Sequence, residues 1–263
     1  MGKFDGWLIC TDWDGTLFWD GQIPEENIRA IRDFQKNGGL FTVCSGRYPD
    51  FLRRYAEQIH PNTYAITLNG ALILDLDTNE VLYEGFSDEE MFDRIDEIFA
   101  AGAPYRTVNL YPCGTSDISE NNHYTKEEFF AKEKILRQRR YYKALLFTPD
   151  EEEGKRALAI RNAGLHSVNY ELVRSWDRSL EIVRRCNNKA AGTHRVKEAT
   201  GARHLVTVGD YENDISMLDA ADLSYAVANA DPSVKPHAKR LTVHAKDGAI
   251  AAVIADIEKN FLT

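Results

Sequence analysis

The sequence predicts an α/β fold, in which a doubly wound parallel sheet of Rossmann-like type forms the core and a second, α+β domain is inserted into it. In the first and last parts of the chain, short apolar runs that suit buried parallel strands alternate with segments of helical spacing. Between residues 85 and 178 this alternation breaks, and charged and aromatic residues become more frequent. We therefore expect a core of residues 1–84 and 179–263 and an inserted α/β domain of residues 85–178.

The core elements follow from their apolar patterns. Pro24 suits a first helical turn, and Ile28, Ile31 and Phe34 continue at helical spacing as far as Gly38. The same patterns predict strands at 7–11, 40–44 and 64–68, a second helix at 49–60, and a small hairpin of 73–75 with 81–83. In the last part we expect helices at 190–200, 214–221 and 248–260 and strands at 205–208 and 241–243.

The inserted segment follows a different pattern. Ser87, with Glu90 three residues later, is a capping-box signal that predicts a helix to about Ala101. We expect further strands at 106–111, 143–147 and 167–174 and further helices at 126–138 and 150–163. After Leu180–Val183 the α/β rhythm returns.

The composition is that of an ordinary soluble globular protein, with 43% hydrophobic and 28% charged residues. A net charge of -9 argues against a nucleic-acid scaffold and against binding to anionic membranes, since both favour basic patches. No apolar run reaches membrane-spanning length, no signal peptide is evident, and the scattered cysteines indicate neither zinc nor a disulfide framework. We expect a cytoplasmic protein without nucleic-acid or membrane partners, whose oligomeric state the sequence leaves open.

Two acidic residues, Asp12 and Asp14, follow the first buried strand and begin a turn at Gly15. In open parallel sheets, the carboxyl ends of the strands are where ligands bind. Two carboxylates there can hold a hard cation through oxygen, and one of them can attack an electrophile. Asp and Gly are also ordinary turn residues, so this segment alone leaves a plain surface turn as the alternative.

Two further segments suit the binding of a phosphoryl group. Ser45 follows the second buried strand, and its hydroxyl and the N–H groups around Gly46 can bind a phosphoryl oxygen. Lys189 stands at the start of a helix, where the helix dipole favours anions, so an anion bound beside it would explain the position. A commonplace Ser-Gly turn and a solvated surface lysine are the respective alternatives.

A second acidic cluster, with Asp210 and Asp214, follows another buried strand and opens a helix. Capping of that helix is the plain explanation, but the cluster can also meet the first acidic pair across the sheet. Together they would form an oxygen-only site suited to Mg²⁺. A calcium-binding EF-hand is excluded, because Leu17 and Ile23 occupy the positions of its glycine and its bidentate glutamate.

These four segments, in this order, resemble the haloacid dehalogenase superfamily of phosphohydrolases. The superfamily is marked by D-x-D-G-T-L, a Ser or Thr after the second strand, a Lys, and G-D-x-x-x-D, which fall here at 12–17, Ser45, Lys189 and 209–214. The resemblance covers most of the expected core, roughly residues 5–80 and 180–263. Finer patterns resemble the Cof-type subfamily with its mixed α/β cap domain, and they lie at 44–47, 68–71, 209–218, 228–230 and 247–248.

Two residues depart from that pattern. Ala190 stands where the subfamily usually has Gly, and Trp13 is bulkier than the usual aliphatic residue between the two acids. Alanine is favourable in a helix, so we expect Lys189 to keep its place.

The resemblance implies a role for each motif residue. Asp12 would attack phosphorus and form an aspartyl-phosphate, while Asp14 would protonate the leaving oxygen and then activate water. Mg²⁺ would be bound by Asp12, the backbone carbonyl of Asp14 and Asp210, with Asp214 nearby. The phosphoryl oxygens would be held by Ser45, Gly46, Lys189 and Asn213, and the substrate would be contacted by Arg47 and Asn69.

The function that this implies is a Mg²⁺-dependent phosphatase for a small phosphorylated metabolite, such as a sugar phosphate, nucleotide or cofactor phosphate. A phosphosugar mutase of the same superfamily and a non-catalytic phosphometabolite-binding protein are the alternatives. The cap would select the substrate, and its candidate contacts are Arg106, Tyr111, His123, Tyr124 and Arg174. Each of these five, taken singly, is more simply explained as a surface or core residue.

Overall fold

The structure is a computed structural model that describes residues 2–114 and 122–262. The chain divides into two compact units: Met1–Tyr83 with Lys189–Thr263, and Glu84–Asn188. In chain order, the elements are β1 (Trp7–Thr11), α1 (Glu25–Lys36), β2 (Leu40–Val43), α2 (Pro49–Ile59), β3 (Ala65–Thr67), β4 (Leu72–Leu74), β5 (Val81–Glu84), α3 (Glu90–Ala100), β6 (Thr107–Pro112), β7 (His123–Thr125), α4 (Lys126–Leu136), β8 (Tyr141–Phe147), α5 (Glu151–Gly164), β9 (Tyr170–Val173), β10 (Ser179–Arg184), α6 (Lys189–Thr200), β11 (His204–Gly209), α7 (Ile215–Ala220), β12 (Leu223–Ala226), β13 (Arg240–Leu241) and α8 (Ala249–Asn260).

The first unit contains a five-stranded parallel sheet of order β13-β12-β11-β1-β2. Both flanking parts of the chain therefore contribute to one sheet, and the predicted fold class is confirmed. Every residue of β1 is buried, as expected for an apolar strand covered on both faces. Because Thr11 pairs with Val43 on one side and Val208 on the other, the residues that follow these three strands meet at one edge of the sheet.

The strand that was expected at 64–68 as the third of the core sheet is different in the structure. It is shortened to β3, which pairs antiparallel with β4 in a separate three-stranded sheet with β5. A single parallel bridge between Cys44 and Ile66 joins this small sheet to the end of the core sheet. An apolar run alone predicts a buried strand without specifying its partner, which is why the pairing was not predicted.

The second unit is built on an antiparallel sheet of order β7-β6-β8-β10-β9. Strand β10, which includes Leu180–Val183, pairs with β8 and β9 and therefore belongs to this sheet. The unit ends at Asn188, so the expected boundary after Arg178 was placed too early. A buried strand that closes an insertion can have the same pattern as one that resumes the core.

The helix capping in this second unit also differs from the prediction. Helix α3 has Glu89 as its N-cap, and the hydroxyl of Ser87 donates to the carbonyl of Tyr142 at 2.9 Å instead. The capping box lies at α4, where Thr125 accepts from the Glu128 N–H and the Glu128 carboxylate accepts from the Thr125 N–H. No helix in the described part of the chain is both long enough and apolar enough to cross a membrane.

Candidate active site

Lys189 lies at the centre of the acidic cluster in the first unit. Its side chain is fully buried, and Nζ lies 2.5 Å from Oδ1 of Asp12 and 2.5 Å from Oδ1 of Asp214. Burial acts to lower the pKa of Lys189, but the two carboxylates outweigh it and hold that pKa well above its usual value. Lys189 is therefore a permanent cation shared by two acids from different strand ends, and a surface position for it is excluded.

The turn after β1 fits closely around Asp210. Thr16, which is fully buried, donates its hydroxyl to Oδ1 of Asp210 at 2.8 Å. Gly15 has φ +80°, and a Cβ there would lie 2.4 Å from Oδ2 of Asp210. A side chain at this position would strain the backbone and would also collide with Asp210, so both the backbone conformation and the close contact require glycine.

Asp214 is a fully buried acid that orders the loop after β11. Its Oδ2 accepts the backbone N–H groups of Asp210 at 2.9 Å and Tyr211 at 3.1 Å. Gly209 leaves room for it, since a Cβ there would lie 2.6 Å from the Asp214 side chain. Asp214 therefore links the Lys189 cation to the backbone that carries Asp210.

Negative charge is in excess in this cluster. Oxygens of Asp12, Asp210 and Asp214 all lie within 4.8 Å of one another, and Lys189 supplies one positive charge. Burial and then the charge of Asp214 raise the pKa of Asp12 to about 7, although Lys189 acts in the opposite direction. Burial, Asp12 and Asp214 raise the pKa of Asp210 well above its usual value. When all three acids are ionised, they carry two negative charges beyond the one that Lys189 compensates. Three hard oxygen donors with this charge fit a divalent cation.

The carboxylate of Asp14 lies in different surroundings. It is half exposed and accepts two hydrogen bonds from the Arg47 guanidinium, from Nε to Oδ2 at 2.8 Å and from Nη2 to Oδ1 at 3.0 Å. Its side chain is not a member of the three-carboxylate group. The expected contribution of Asp14 to the metal site through its backbone carbonyl stays a prediction.

The remaining predicted site residues lie on the loops around these strand ends. Ser45 is buried, its hydroxyl accepts the Arg47 N–H at 3.1 Å, and its carbonyl accepts the Asn69 N–H at 2.9 Å. Asn69, with φ +60°, lies in a left-handed turn. Gly46 and Asn213 are partly buried neighbours of Ser45 and Asp214 in the sequence. Their contacts with a phosphoryl group, and those of Arg47 and Asn69 with substrate, stay predictions.

Sequence analysis missed the role of Asn229. Its Nδ2 donates to the Gly15 carbonyl at 2.8 Å, and its Oδ1 accepts the Ala245 N–H at 2.8 Å. The side chain therefore ties the turn of the first acidic pair to a loop near the end of the chain. The pattern at 228–230 marked this residue as part of the subfamily resemblance but gave no indication of its contacts.

The five candidates for substrate contacts in the second unit have different environments. Tyr124 belongs to the apolar core of the unit, so the core explanation holds for it. Tyr111 is buried beneath the Lys143 ammonium, which lies 4.7 Å from its ring centre. Nδ1 of His123 lies 2.6 Å from Oδ1 of Asn109. Arg106 is exposed, and Arg174 lies 3.8 Å from Asp177.

The sequence model of the haloacid dehalogenase-like hydrolases matches residues 9–254. This chain belongs to that family. It is 30% identical over 254 residues to the 5-amino-6-(5-phospho-D-ribitylamino)uracil phosphatase YcsE of Bacillus subtilis, and the match covers 94% of each protein. The resemblance inferred from the motifs is confirmed, and the chain is a phosphatase of the haloacid dehalogenase-like family.

Solved structures share the fold of this haloacid dehalogenase-like phosphatase. The subclass IIB sugar phosphatase BT4131 matches with a TM-score of 0.73 and 19% identity, covering 96% of this chain and 99% of that one. A haloacid dehalogenase-like hydrolase from B. subtilis matches with a TM-score of 0.72 and 21% identity, covering 97% and 99%. At these identities, the likeness shows the architecture alone.

Proposed function

We propose that this phosphatase hydrolyses a small phosphomonoester with Mg²⁺ through an aspartyl-phosphate on Asp12. The observation that carries the proposal is the buried group of Asp12, Asp210 and Asp214 around Lys189. Family membership supplies the reaction class, and this group supplies the charges that the reaction needs. In the proposed mechanism, an oxygen of Asp12 attacks phosphorus while Lys189 compensates the charge of the attacking group.

Asp14 is suited to proton transfer because it is exposed to water, unlike Asp12. We propose that it protonates the leaving oxygen in the first step and removes a proton from the attacking water in the second. The leaving group departs as an alcohol, and hydrolysis of the P–O bond to Asp12 then regenerates the carboxylate. Ser45, Gly46 and Asn213 are proposed to donate hydrogen bonds to the phosphoryl oxygens, together with Lys189.

The proposed metal would be held by Asp12 and Asp210, with Asp214 supporting the site through Lys189 and the Asp210 N–H. When bound, Mg²⁺ supplies positive charge that favours the carboxylate form of Asp12 and reduces its repulsion of a phosphate dianion. Thr16 and Gly15 keep Asp210 in place for this role. Asn69 remains a proposed contact for the substrate, whereas the guanidinium of Arg47 donates to the Asp14 carboxylate.

The substrate class is proposed from the family and from the relatives. YcsE and YitU of B. subtilis, at 30% and 22% identity, are both named for a phosphorylated ribitylamino-uracil, which makes that compound a candidate here. We propose that the second unit, residues 84–188, discriminates among leaving groups, because every motif residue of the chemistry lies in the first unit. Changes at His123 or Arg174 should then alter discrimination more than they alter hydrolysis of a small aryl phosphate.

Trapping of the intermediate tests the mechanism. Borohydride reduces an acyl phosphate to an alcohol, so protein quenched during turnover should contain homoserine at position 12, detected by peptide mass spectrometry. The Asp12→Asn variant is the matched control and should contain none. Turnover without any modification of Asp12, or modification at another acid, would contradict the proposed nucleophile.

A phosphate-release screen tests the substrate class. The panel should contain sugar phosphates, nucleotides, pyridoxal phosphate, flavin mononucleotide and the ribitylamino-uracil phosphate, each with Mg²⁺ and with chelator. A phosphatase releases inorganic phosphate without an activator. Transfer of phosphate between hydroxyls of one sugar, dependent on a bisphosphorylated activator, would instead identify the mutase, and phosphate-ester binding without turnover would identify a binding protein.

A further inference from the structure

The carboxylate of Asp14 is oriented by one side chain. In residues 2–114 and 122–262, both hydrogen bonds accepted by this carboxylate come from the guanidinium of Arg47. The Asp14 side chain is 49% exposed, so packing alone does not fix its rotamer. A planar fork that meets both oxygens fixes both the position and the plane of a carboxylate.

Arg47 is itself held in three ways. Its backbone N–H donates to the Ser45 hydroxyl at 3.1 Å, and its carbonyl accepts the Leu68 N–H at 3.1 Å. Its guanidinium lies over the ring of Phe51, 4.6 Å from the ring centre. Stacking on an aromatic face favours the planar guanidinium over a lysine ammonium.

Phe51, the aromatic residue that supports Arg47, itself packs against the residue between the two acids. Phe51 meets Trp13 edge to face, with ring centres 6.2 Å apart, and Trp13 is fully buried. The contacts therefore run from Trp13 to Phe51, to Arg47 and back to Asp14, the residue next to Trp13. This closed set of contacts gives the bulky residue between the two acids a structural purpose, as the base that supports Phe51.

We propose that Arg47 is a positioning residue for Asp14, which it orients through the bidentate hydrogen bonds for proton transfer to the leaving group. The proposal rests on the function proposed above, and it differs from the expected contact of Arg47 with substrate. Displacing a catalytic group by about 1 Å can cost about 100-fold in rate, and a general acid contributes about 10²–10⁴-fold. Loss of the fork should therefore be selective for the step that needs the acid.

Leaving groups of different basicity separate this role from phosphate binding. The leaving oxygen of an alkyl phosphate needs a proton, whereas 2,4-dinitrophenyl phosphate releases its leaving group as the stable dinitrophenolate anion. For Arg47→Met we expect the rate of leaving-group release in a single turnover to fall about 100-fold with the alkyl phosphate. With the dinitrophenyl ester it should stay within about threefold, since no acid is required.

Three further variants sharpen the test. Arg47→Lys keeps the charge but has no planar fork, so most of the selective loss should remain. Phe51→Leu should show the same selectivity with a smaller effect, because it removes only the support of the guanidinium. Arg54 lies at an exposed position on helix α2, which also carries Phe51, so Arg54→Met is the matched control and should change neither rate.

Equal losses on both substrates would overturn the proposal and assign Arg47 to the phosphoryl group, and so would full rescue by lysine. The absence of any loss would also overturn it. A crystal structure of Arg47→Met provides a test independent of turnover: the Asp14 carboxylate should lose its single position, and an unchanged position would refute the positioning role. If the wild type hydrolyses no phosphomonoester, the proposed function fails, while this crystallographic result still decides whether Arg47 positions Asp14.

Discussion

Asp12 and Asp14, which are separated by one residue in the sequence, lie in opposite environments. Asp12 is buried and bound to the fully buried ammonium of Lys189, whereas Asp14 is half exposed and bound to the half-exposed guanidinium of Arg47. A nucleophile benefits from a dry site with fixed counter-charge, while a group that exchanges protons needs access to water and to the leaving group. The two environments match the roles that we propose for the two carboxylates.

The largest expected effect tests this division directly. Asp12→Asn should lower turnover by at least about 10⁴-fold with every substrate, because an amide is a poor nucleophile. Asp14→Asn should lower it by about 10²–10⁴-fold with alkyl phosphates and much less for release of an activated aryl leaving group. Steady-state and single-turnover rates with both substrate types measure this, with circular dichroism to confirm folding. Similar rate profiles for the two variants would mean that the two environments do not separate the roles.

The second prediction concerns the charge on the buried side. Lys189→Met leaves Asp12 and Asp214 buried without their cation, and we expect the free energy of unfolding to fall by about 3–5 kcal/mol in chelator. Millimolar Mg²⁺ should restore part of this loss by binding the folded state. Arg47→Met, on the exposed side, should cost at most about 1 kcal/mol. Denaturant unfolding with and without Mg²⁺ measures both, and equal costs would break the comparison.

The buried side of the site was largely predictable from the sequence, and the exposed side was not. Asp12, Asp210 and Asp214 follow strands of one parallel sheet, so their meeting was expected from the order of elements. For Lys189 the residues alone left a surface position as the alternative. The fork between Arg47 and Asp14 joins residues 33 apart through side-chain geometry. Nothing in local spacing specifies such a contact.

The fold shows the same distinction between pattern and partner. Alternation of apolar runs and helices was enough to predict the parallel core sheet. The partners of β3 and β10 depend on which edge each strand meets, and an apolar run carries no information on that. Both the third core strand and the second domain boundary were therefore misplaced.

The third prediction concerns Asn229, whose side chain holds the turn at Gly15 that follows Asp12 and Asp14. Asn229→Ala removes the donor to the Gly15 carbonyl and the acceptor for the Ala245 N–H. We expect the free energy of unfolding to fall by about 1–3 kcal/mol and turnover to fall about tenfold. Asn229→Asp, which keeps the acceptor for Ala245, is the matched variant and should retain more stability than the alanine variant. Wild-type turnover in Asn229→Ala would show that this tie does not position the acidic turn.

The smallest expected effect concerns Asp222, an acid outside the site that serves as a reference for pH measurements on Asp12. Asp222 accepts the Leu205 N–H at 2.7 Å and pairs with Lys197 at 2.6 Å. Burial acts to raise its pKa, but the Leu205 N–H and Lys197 outweigh it, and the pKa lies below its usual value. A depressed folded-state pKa gives stability that is present above the unfolded pKa of about 3.9 and is lost as pH falls through the lower, folded value.

Asp222→Asn should therefore be less stable than wild type at neutral pH, and the difference should shrink as the solution is acidified below pH 4. Asp12 should behave in the opposite sense in metal-free protein, because its raised pKa of about 7 gives stability that is lost as pH rises through that value. Denaturant unfolding in chelator from pH 3 to pH 8, for wild type and both Asn variants, measures the two slopes. Slopes of the same sign would show that the pKa of Asp12 is lowered in the folded protein, so that Lys189 outweighs burial and Asp214. A zero slope for Asp12 would show that it is solvated like an ordinary carboxylate, and the contrast between its buried environment and the exposed one of Asp14 would then not hold in solution.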